Sequence, residues 1–226
     1  MDSKITVEGN VVVDDNAHGR AFKFENNNQR IKSDIMFEKT YTFFLIGQKT
    51  KKENIGTLFS SNLDNRAFGW DSVNIIFKLD NFCASVVTKL DSSLHCFIVR
   101  NDNTNIDYWD FDEKINIYTL TAGDTSHVID SSQFKQSMIC LFNFGKIVIG
   151  YPTDNKILNE KSYGLIYEVI AFDKALSDEN IQTIKNFLKK YYPALTSNQS
   201  VNNNQSVKND QGKKATKKSN VANSYL

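Results

Sequence analysis

The chain reads as an all-β antiparallel protein, a sandwich or a barrel, on three observations. Short β-rich runs recur with polar turns between them, at a spacing close to the roughly 8–12 residues of such folds. Aromatic residues make up 12 % of the 226 residues, with 16 Phe and 9 Tyr, the types that pleated strands favour. No long helical pattern separates the runs, which disfavours a parallel sheet built on crossover helices.

The runs fall at residues 11–13, 21–24, 41–46, 57–59, 73–79, 84–87, 94–99, 115–120, 138–142, 146–149 and 165–172. Between them lie Asn26-Asn27-Asn28, Asp91-Ser92-Ser93 and Asn101-Asp102-Asn103, whose side chains bond their own backbone and tolerate turns. In residues 20–25, Phe22 and Phe24 point one way while Lys23 and Glu25 point the other. Residues 41–46 are apolar on both faces except for Thr42, which suits a central strand covered on both sides, or one whose second face is a groove.

One helix follows the last strand. Ser177 is the N-cap, and Asp178 and Glu179 occupy the first turn, where the helix dipole favours acids. Ile181, Ile184, Leu188 and Tyr191 recur at helical spacing with Phe187 beside them, Lys189 and Lys190 close the helix, and Pro193 stops it. This stripe is expected to pack on the edge of the sandwich.

From Thr196 onward Asn, Ser, Gln and Lys replace the apolar residues, too few of which remain to offset ordering entropy. The reading is one domain over residues 1–195 and a disordered tail over 196–226. The tail holds five Lys and one Asp, and the domain 22 basic against 25 acidic groups. A mildly acidic domain does not indicate nucleic-acid binding, although Lys213, Lys214, Lys217 and Lys218 of the tail are suited to an anionic partner. Cys83, Cys96 and Cys140 lie in apolar runs and read as reduced core residues. The opening residues Met1-Asp2-Ser3-Lys4 lack the apolar stretch of a signal peptide, and no run reaches the ~20 apolar residues of a membrane helix. The expectation is synthesis in a reducing compartment, with incorporation into a virion or other particle as one outcome.

Two segments resemble a known superfamily. Gly19-Arg20-Ala21-Phe22-Lys23-Phe24 with Arg30-Ile31 resembles the opening strand of laminin-G-like and pentraxin-like domains of the concanavalin A-like lectin and glucanase superfamily. Residues 164–181, with Ala175-Leu176-Ser177-Asp178-Glu179 before the helix, resemble the closing strand and helix of that family, and Ile147-Val148-Ile149-Gly150 resembles the segment before it. The resemblance covers about residues 5–192 and implies a two-sheet jelly roll that binds glycans or proteins, with glycosidases among its members.

Candidate site residues follow. Trp70, Tyr108 and Trp109 are aromatics able to stack on sugar rings, and Trp70 sits near a turn. Asp110 and Asp112, two apart, share one face of a strand, at a separation within the range glycosidases use. Laminarinase-type enzymes of that superfamily place three alternating acids on one strand, but here Tyr108 stands in the first place and Glu113 is out of phase. The segment then reads as a strand end or hairpin and not as a catalytic set. Glu168 on the closing strand reads as a carboxylate held by backbone or Tyr donors, with an acid/base role as the alternative. Calcium is a possible cofactor, with Asp64, Asn65 and Asp71 on one loop and Asp102, Asn103 and Asn105 on another, in no EF-hand spacing. His18, His95 and His127 are scattered and show no Cys or Ser partner pattern; His95 reads as core.

The reading is therefore a non-catalytic binding or structural module for a glycan or protein, in a virion decoration, fibre or adhesion subunit, with self-association or particle assembly as partners. Ligand contacts are assigned to Trp70, Tyr108, Trp109, Asp110 and Asp112. The alternatives are a glycoside hydrolase using Asp110, Asp112, Glu113 or Glu168, and an assembly protein whose basic tail touches nucleic acid.

Deleting residues 197–226 is expected to leave the melting temperature nearly unchanged, because nothing in that segment can join a core. Thermal unfolding of the truncated chain checks this: a loss above ~1 kcal/mol places the tail on the domain.

Overall fold

The computed structural model describes residues 4–25, 28–50, 56–61, 67–70, 75–79, 82–86, 92–115, 119–122, 145–150 and 163–197. Their strands are β1 (Ile5–Glu8), β2 (Val12–Asn16), β3 (Gly19–Phe24), β4 (Arg30–Phe37), β5 (Tyr41–Gln48), β6 (Gly56–Ser61), β7 (Ala67–Trp70), β8 (Ile75–Leu79), β9 (Phe82–Val86), β10 (Leu94–Asn101), β11 (Ile106–Asp110), β12 (Glu113–Ile115), β13 (Thr119–Ala122), β14 (Gly145–Gly150) and β15 (Gly164–Phe172). Two helices close the described chain, α1 (Asp178–Tyr191) and the short α2 (Ala194–Ser197).

All pairings are antiparallel, in two sheets. One runs β1-β4-β14-β6-β7-β8-β9-β13 and the other β12-β11-β10-β5-β15-β3-β2. The two-sheet antiparallel sandwich expected from the sequence is thus the architecture observed. Contacts between the layers are close. Phe37 of the first sheet meets Phe43 of the second edge to face, with ring centroids 5.0 Å apart. Gly150, at φ 91°, leaves room for the fully buried Phe24: a Cβ there would lie 2.7 Å from the Phe24 ring.

β5 is the centre of the second sheet, paired in full with β10 and along most of its length with β15. Its residues alternate between two apolar surroundings. Tyr41 and Phe43 stack with centroids 4.6 Å apart, on the side where Phe43 meets the other sheet. Phe44 and Ile46, both fully buried, join Cys96 and Ile98 of β10 in a cluster with Leu176, Ile181, Leu188 and Leu195. The apolar stripe of α1 therefore packs on the outer face of the seven-stranded sheet, over its central strands, and not on the sandwich edge as the sequence suggested. A face bearing Phe44, Ile46, Cys96 and Ile98 loses more free energy to water than an edge does, so it captures the helix.

Thr42, the one polar residue on that run, is fully buried. Its hydroxyl donates to the Lys174 carbonyl at 3.0 Å and accepts from the Leu176 amide at 2.9 Å, which ties the segment before α1 down onto β5. Ser177 caps α1 as its position implies, accepting from the Asn180 amide at 3.3 Å, and the Tyr192 amide closes the far end on the Leu188 carbonyl.

Among the described strands, β1, β4, β7 and β11 have no run of their own in the sequence pattern, and the one run at 115–120 spans the end of β12 and the start of β13. β4 buries Ile31 and Phe37, but Ser33 interrupts their apolar face and Met36 falls on the face of Lys32 and Asp34, which masks the alternation. The run at 138–142 and the segment 198–226 lie outside the described residues.

Leu188→Ala is expected to destabilise the domain by ~2–4 kcal/mol, because the side chain is wholly buried between helix and sheet. Urea unfolding checks this, and a change within ~0.5 kcal/mol would show that the outer face is not sealed by α1.

Candidate functional site

β11 and β12 form a hairpin in which Asp110 pairs with Glu113 across the two-residue connection Phe111-Asp112. Phe111 adopts φ 52°, a region that a bulky residue enters only when something else holds it there. Its ring is buried in the cluster under α1, and its amide donates to the Cys96 carbonyl at 2.8 Å. The positive φ at the first turn position suits a two-residue hairpin, but no Gly or Asn announces it. Asp110 and Asp112 accordingly do not share a strand face, as the sequence spacing implied: Asp110 ends β11 and Asp112 lies in the turn.

The residues expected to line one ligand groove divide between two faces. Tyr108 is 4 % exposed and sits opposite Val99, on the side facing the other sheet, so it offers no stacking surface. Trp109, opposite Ile98 and Lys114, packs on the helix side. Its ring has Arg100 at 5.1 Å, Lys114 at 5.5 Å and Lys185 at 5.8 Å, a cationic surround that satisfies the ring electrostatically. Arg100 bonds Asp107 through two nitrogens, the Leu176 carbonyl at 3.1 Å, and Asp178. Burial pushes the Asp107 carboxyl up, but its bonds to Lys114 and Arg100 outweigh that and hold it below the usual range. Asp112 meets Lys189 at 3.1 Å and Lys185 at 3.9 Å. Burial pushes the Lys185 ammonium down, against the pull of Asp112. These contacts make Trp109 and Asp112 a latch between hairpin and helix. Trp70 is the last residue of β7, paired with Gly56 and Ile75, and so belongs to a strand. Asp64 and Asp71 lie outside the described residues. Asp102 spends its carboxylate on Thr104 and Asn105, capping its own loop.

Asp110 faces the interior with His95. Its carboxylate lies 2.7 Å from His95 Nδ1, and His95 Nε2 lies 3.2 Å from Ser93 Oγ. His95 is 7 % exposed and its ring is nearly parallel to Phe97, so it is a core residue as expected, but one with two polar partners. The sequence signal was present in Ser-x-His: positions two apart on a strand share a face. The third partner comes from the β10–β11 register, which sequence does not print.

A second polar group occupies the outer face beyond α1. The β15–β3 pairing ends at Ile166, the register against β5 shifts between Ile166 and Glu168, and Tyr167 sits at that irregularity. Its hydroxyl lies 3.0 Å from Asn16 Oδ1 and 2.9 Å from Gln48 Oε1. His18 approaches the Tyr167 ring edge-on at 6.2 Å, and Tyr192 does so at 6.2 Å from the helix side. Glu168 accepts from the Tyr192 hydroxyl at 3.3 Å, the tyrosine-held carboxylate that its sequence position suggested. Asn16, His18, Gln48 and Tyr167 escaped sequence reasoning, because three separate strands bring them together.

Between the sheets, beside β1, β4 and β14, opens a cleft of about 350 Å³. Ile5, Ile31, Ile35, Phe37, Ile147 and Val169 line it, with Ser33, Lys32 and Asp173 the polar groups among them. Lys32 is already paired with Glu8 at 2.6 Å, leaving a predominantly apolar recess. No helix among the described residues is long and apolar enough to cross a membrane, and those residues contain no cluster of three or more metal-ligating His, Cys, Asp or Glu side chains.

No family model matches the chain, and no curated protein matches it in sequence. Solved structures do match in fold. A botulinum neurotoxin type C structure, from a study in which cell entry depends on interaction with two ganglioside molecules, superposes with a TM-score of 0.57 at 13 % identity, over 83 % of this chain and 47 % of that one. Domain 4 of AbnA, a GH43 extracellular arabinanase from Geobacillus stearothermophilus solved with arabinotriose, gives 0.53 at 13 % identity, over 81 % and 87 % of the two chains. A Trypanosoma rangeli sialidase gives 0.51 at 10 % identity, over 84 % and 30 %. The chain spans about half the length of the neurotoxin chain it matches. At these identities the likeness is one of fold, an all-β sandwich.

Burial, with the neighbouring Glu168 carboxylate, pushes the Tyr192 hydroxyl up to about 12. A raised value means the folded state keeps its proton while the unfolded chain loses it. Stability from this group is full below about pH 10, the ordinary tyrosine value, and is lost as pH rises through about 12. The urea midpoint is expected to fall over that window, and Tyr192→Phe to flatten the fall; an equally steep fall in the variant would assign the slope to other groups.

Proposed function

We propose that the chain is a recognition module that binds a glycan on the outer face of the seven-stranded sheet, around Tyr167, and holds it without cleaving glycosidic bonds. The Tyr167 hydroxyl carries this reading. It has one proton to donate and two amide oxygens within reach, at 3.0 Å and 2.9 Å. Neither amide turns to help: Asn16 Nδ2 donates to Asp14 at 3.2 Å, and Gln48 Nε2 to the Ser92 carbonyl at 2.7 Å. Asn16 Oδ1 also accepts from the His18 amide at 2.9 Å, so the tyrosine proton can serve Gln48 Oε1, and the Tyr167 oxygen keeps its lone pairs for an outside donor. Sugar hydroxyls both donate and accept, and the edge-on His18 and Tyr167 rings supply apolar surface beside them.

The fold neighbours support the reading in kind, since one holds arabinotriose and another belongs to a toxin whose cell entry depends on gangliosides. The sialidase neighbour fits the cleaving alternative equally well as a fold. Against that alternative, Asp110 is bonded to His95, Asp112 to Lys189 and Glu168 to Tyr192, so each carboxylate has its own partner.

On a glycan array the full chain is expected to retain oligosaccharides, and Tyr167→Phe to weaken the best of them about tenfold, or ~1.4 kcal/mol, with an unchanged melting temperature. Reducing-sugar release from β-glucans is expected to stay at the buffer blank. An array that retains nothing, or a Tyr167→Phe protein that binds like the parent, overturns the proposal.

A further inference from the structure

Independently of the glycan surface, we propose that Ser93, His95 and Asp110 form a nucleophile relay that hydrolyses carboxylic esters. The carboxylate of Asp110 can only accept, so the hydrogen bond of 2.7 Å places the proton of neutral His95 on Nδ1. Nε2 is then a lone-pair acceptor, and it faces Ser93 Oγ at 3.2 Å. The hydroxyl proton of Ser93 is thereby directed at a base, and the base is oriented by an acid from the neighbouring strand. This is the order of roles that activates a serine.

The strand geometry fixes the relay. Ser93 immediately precedes β10 and His95 lies two residues on, while the β10–β11 register brings Asp110 opposite Phe97, on the face that His95 shares. His95 is buried and stacked on Phe97 at 5.5 Å, which holds the imidazole in one orientation. Ser93 is half-buried and follows the exposed Ser92, so the hydroxyl end of the relay is the end toward the chain surface. The His95–Asp110 bond clamps β10 to the hairpin, and Ser93 meets the opposite ring nitrogen.

In the reaction Ser93 Oγ bonds the acyl carbon of an ester as its proton passes to His95 Nε2. Collapse of the tetrahedral adduct breaks the bond to the alkoxy oxygen, and the alcohol leaves with that proton. Water then gives a proton to the same nitrogen, attacks the acyl-serine, and releases the carboxylic acid while Ser93 recovers its hydrogen. Asp110 is a positioning residue throughout.

The test uses the full chain with p-nitrophenyl acetate and with a fluorophosphonate probe. The expected result is a phosphonyl adduct on the peptide carrying Ser93, found by mass spectrometry, and acetate release that falls at least 100-fold in Ser93→Ala at an unchanged melting temperature. Asp110→Asn is expected to lower kcat by a similar factor with KM little changed, a split that a purely structural tether would not give. Acetate release equal in parent and Ser93→Ala, or an adduct found on any residue but Ser93, overturns the proposal; the adduct is read on the parent protein, so the outcome does not depend on a variant folding.

Discussion

The requirement that β5 be covered on both faces governs this molecule. Residues 41–47 are buried without interruption. A strand of this kind cannot lie in a two-layer sandwich with one face in water, because Phe44 and Ile46 together would expose several kcal/mol of apolar surface. The eight-stranded sheet covers Phe43, and α1 covers Phe44 and Ile46. Thr42 sits where the covering segment turns down onto the sheet, and its hydroxyl converts the one polar position of the run into a two-bond anchor. The third layer decides what is left for ligands. Over the central strands the outer face is closed, and the polar group around Tyr167 lies where the helix ends.

The same cover explains the hairpin. Phe111 holds a positive φ because its ring is wanted beneath α1, and the turn so formed sends Asp112 toward Lys185 and Lys189. Cations from the helix and from β10 and β12 gather around Trp109, with Asp107, Asp112 and Asp178 interleaved. Exposed pairs of this sort contribute little each, but the partly buried Arg100, bonded to three groups, fixes how the helix start sits on the sheet.

Fold class was legible because it rests on local pattern: alternation at Phe22 and Phe24, apolarity at 41–46 broken only by Thr42, and the cap and stripe of α1 were each visible one residue at a time. The sites were not, because they rest on register. Tyr108, Trp109, Asp110 and Asp112 are consecutive or nearly so in the chain, and sequence proximity suggested one groove; alternation and an unannounced turn scatter them to different faces. Conversely Asn16, Gln48 and Tyr167 are far apart in sequence and meet only because β2, β5 and β15 belong to one sheet. Ser93, His95 and Asp110 lie between these extremes: half of the arrangement is a two-residue spacing, and the other half is a strand pairing.

The order in which the covers of β5 are synthesised has a biosynthetic consequence. β10 follows β5 after about fifty residues, but β15 and α1, which complete the sheet and seal its outer face, come more than a hundred residues later. Until they emerge, the nascent chain carries an aromatic, β-prone segment with nothing on one side. Contacts of such long sequence separation form slowly. During elongation, residues 41–48 are therefore the natural target for a holding chaperone and the first place from which misassembly spreads.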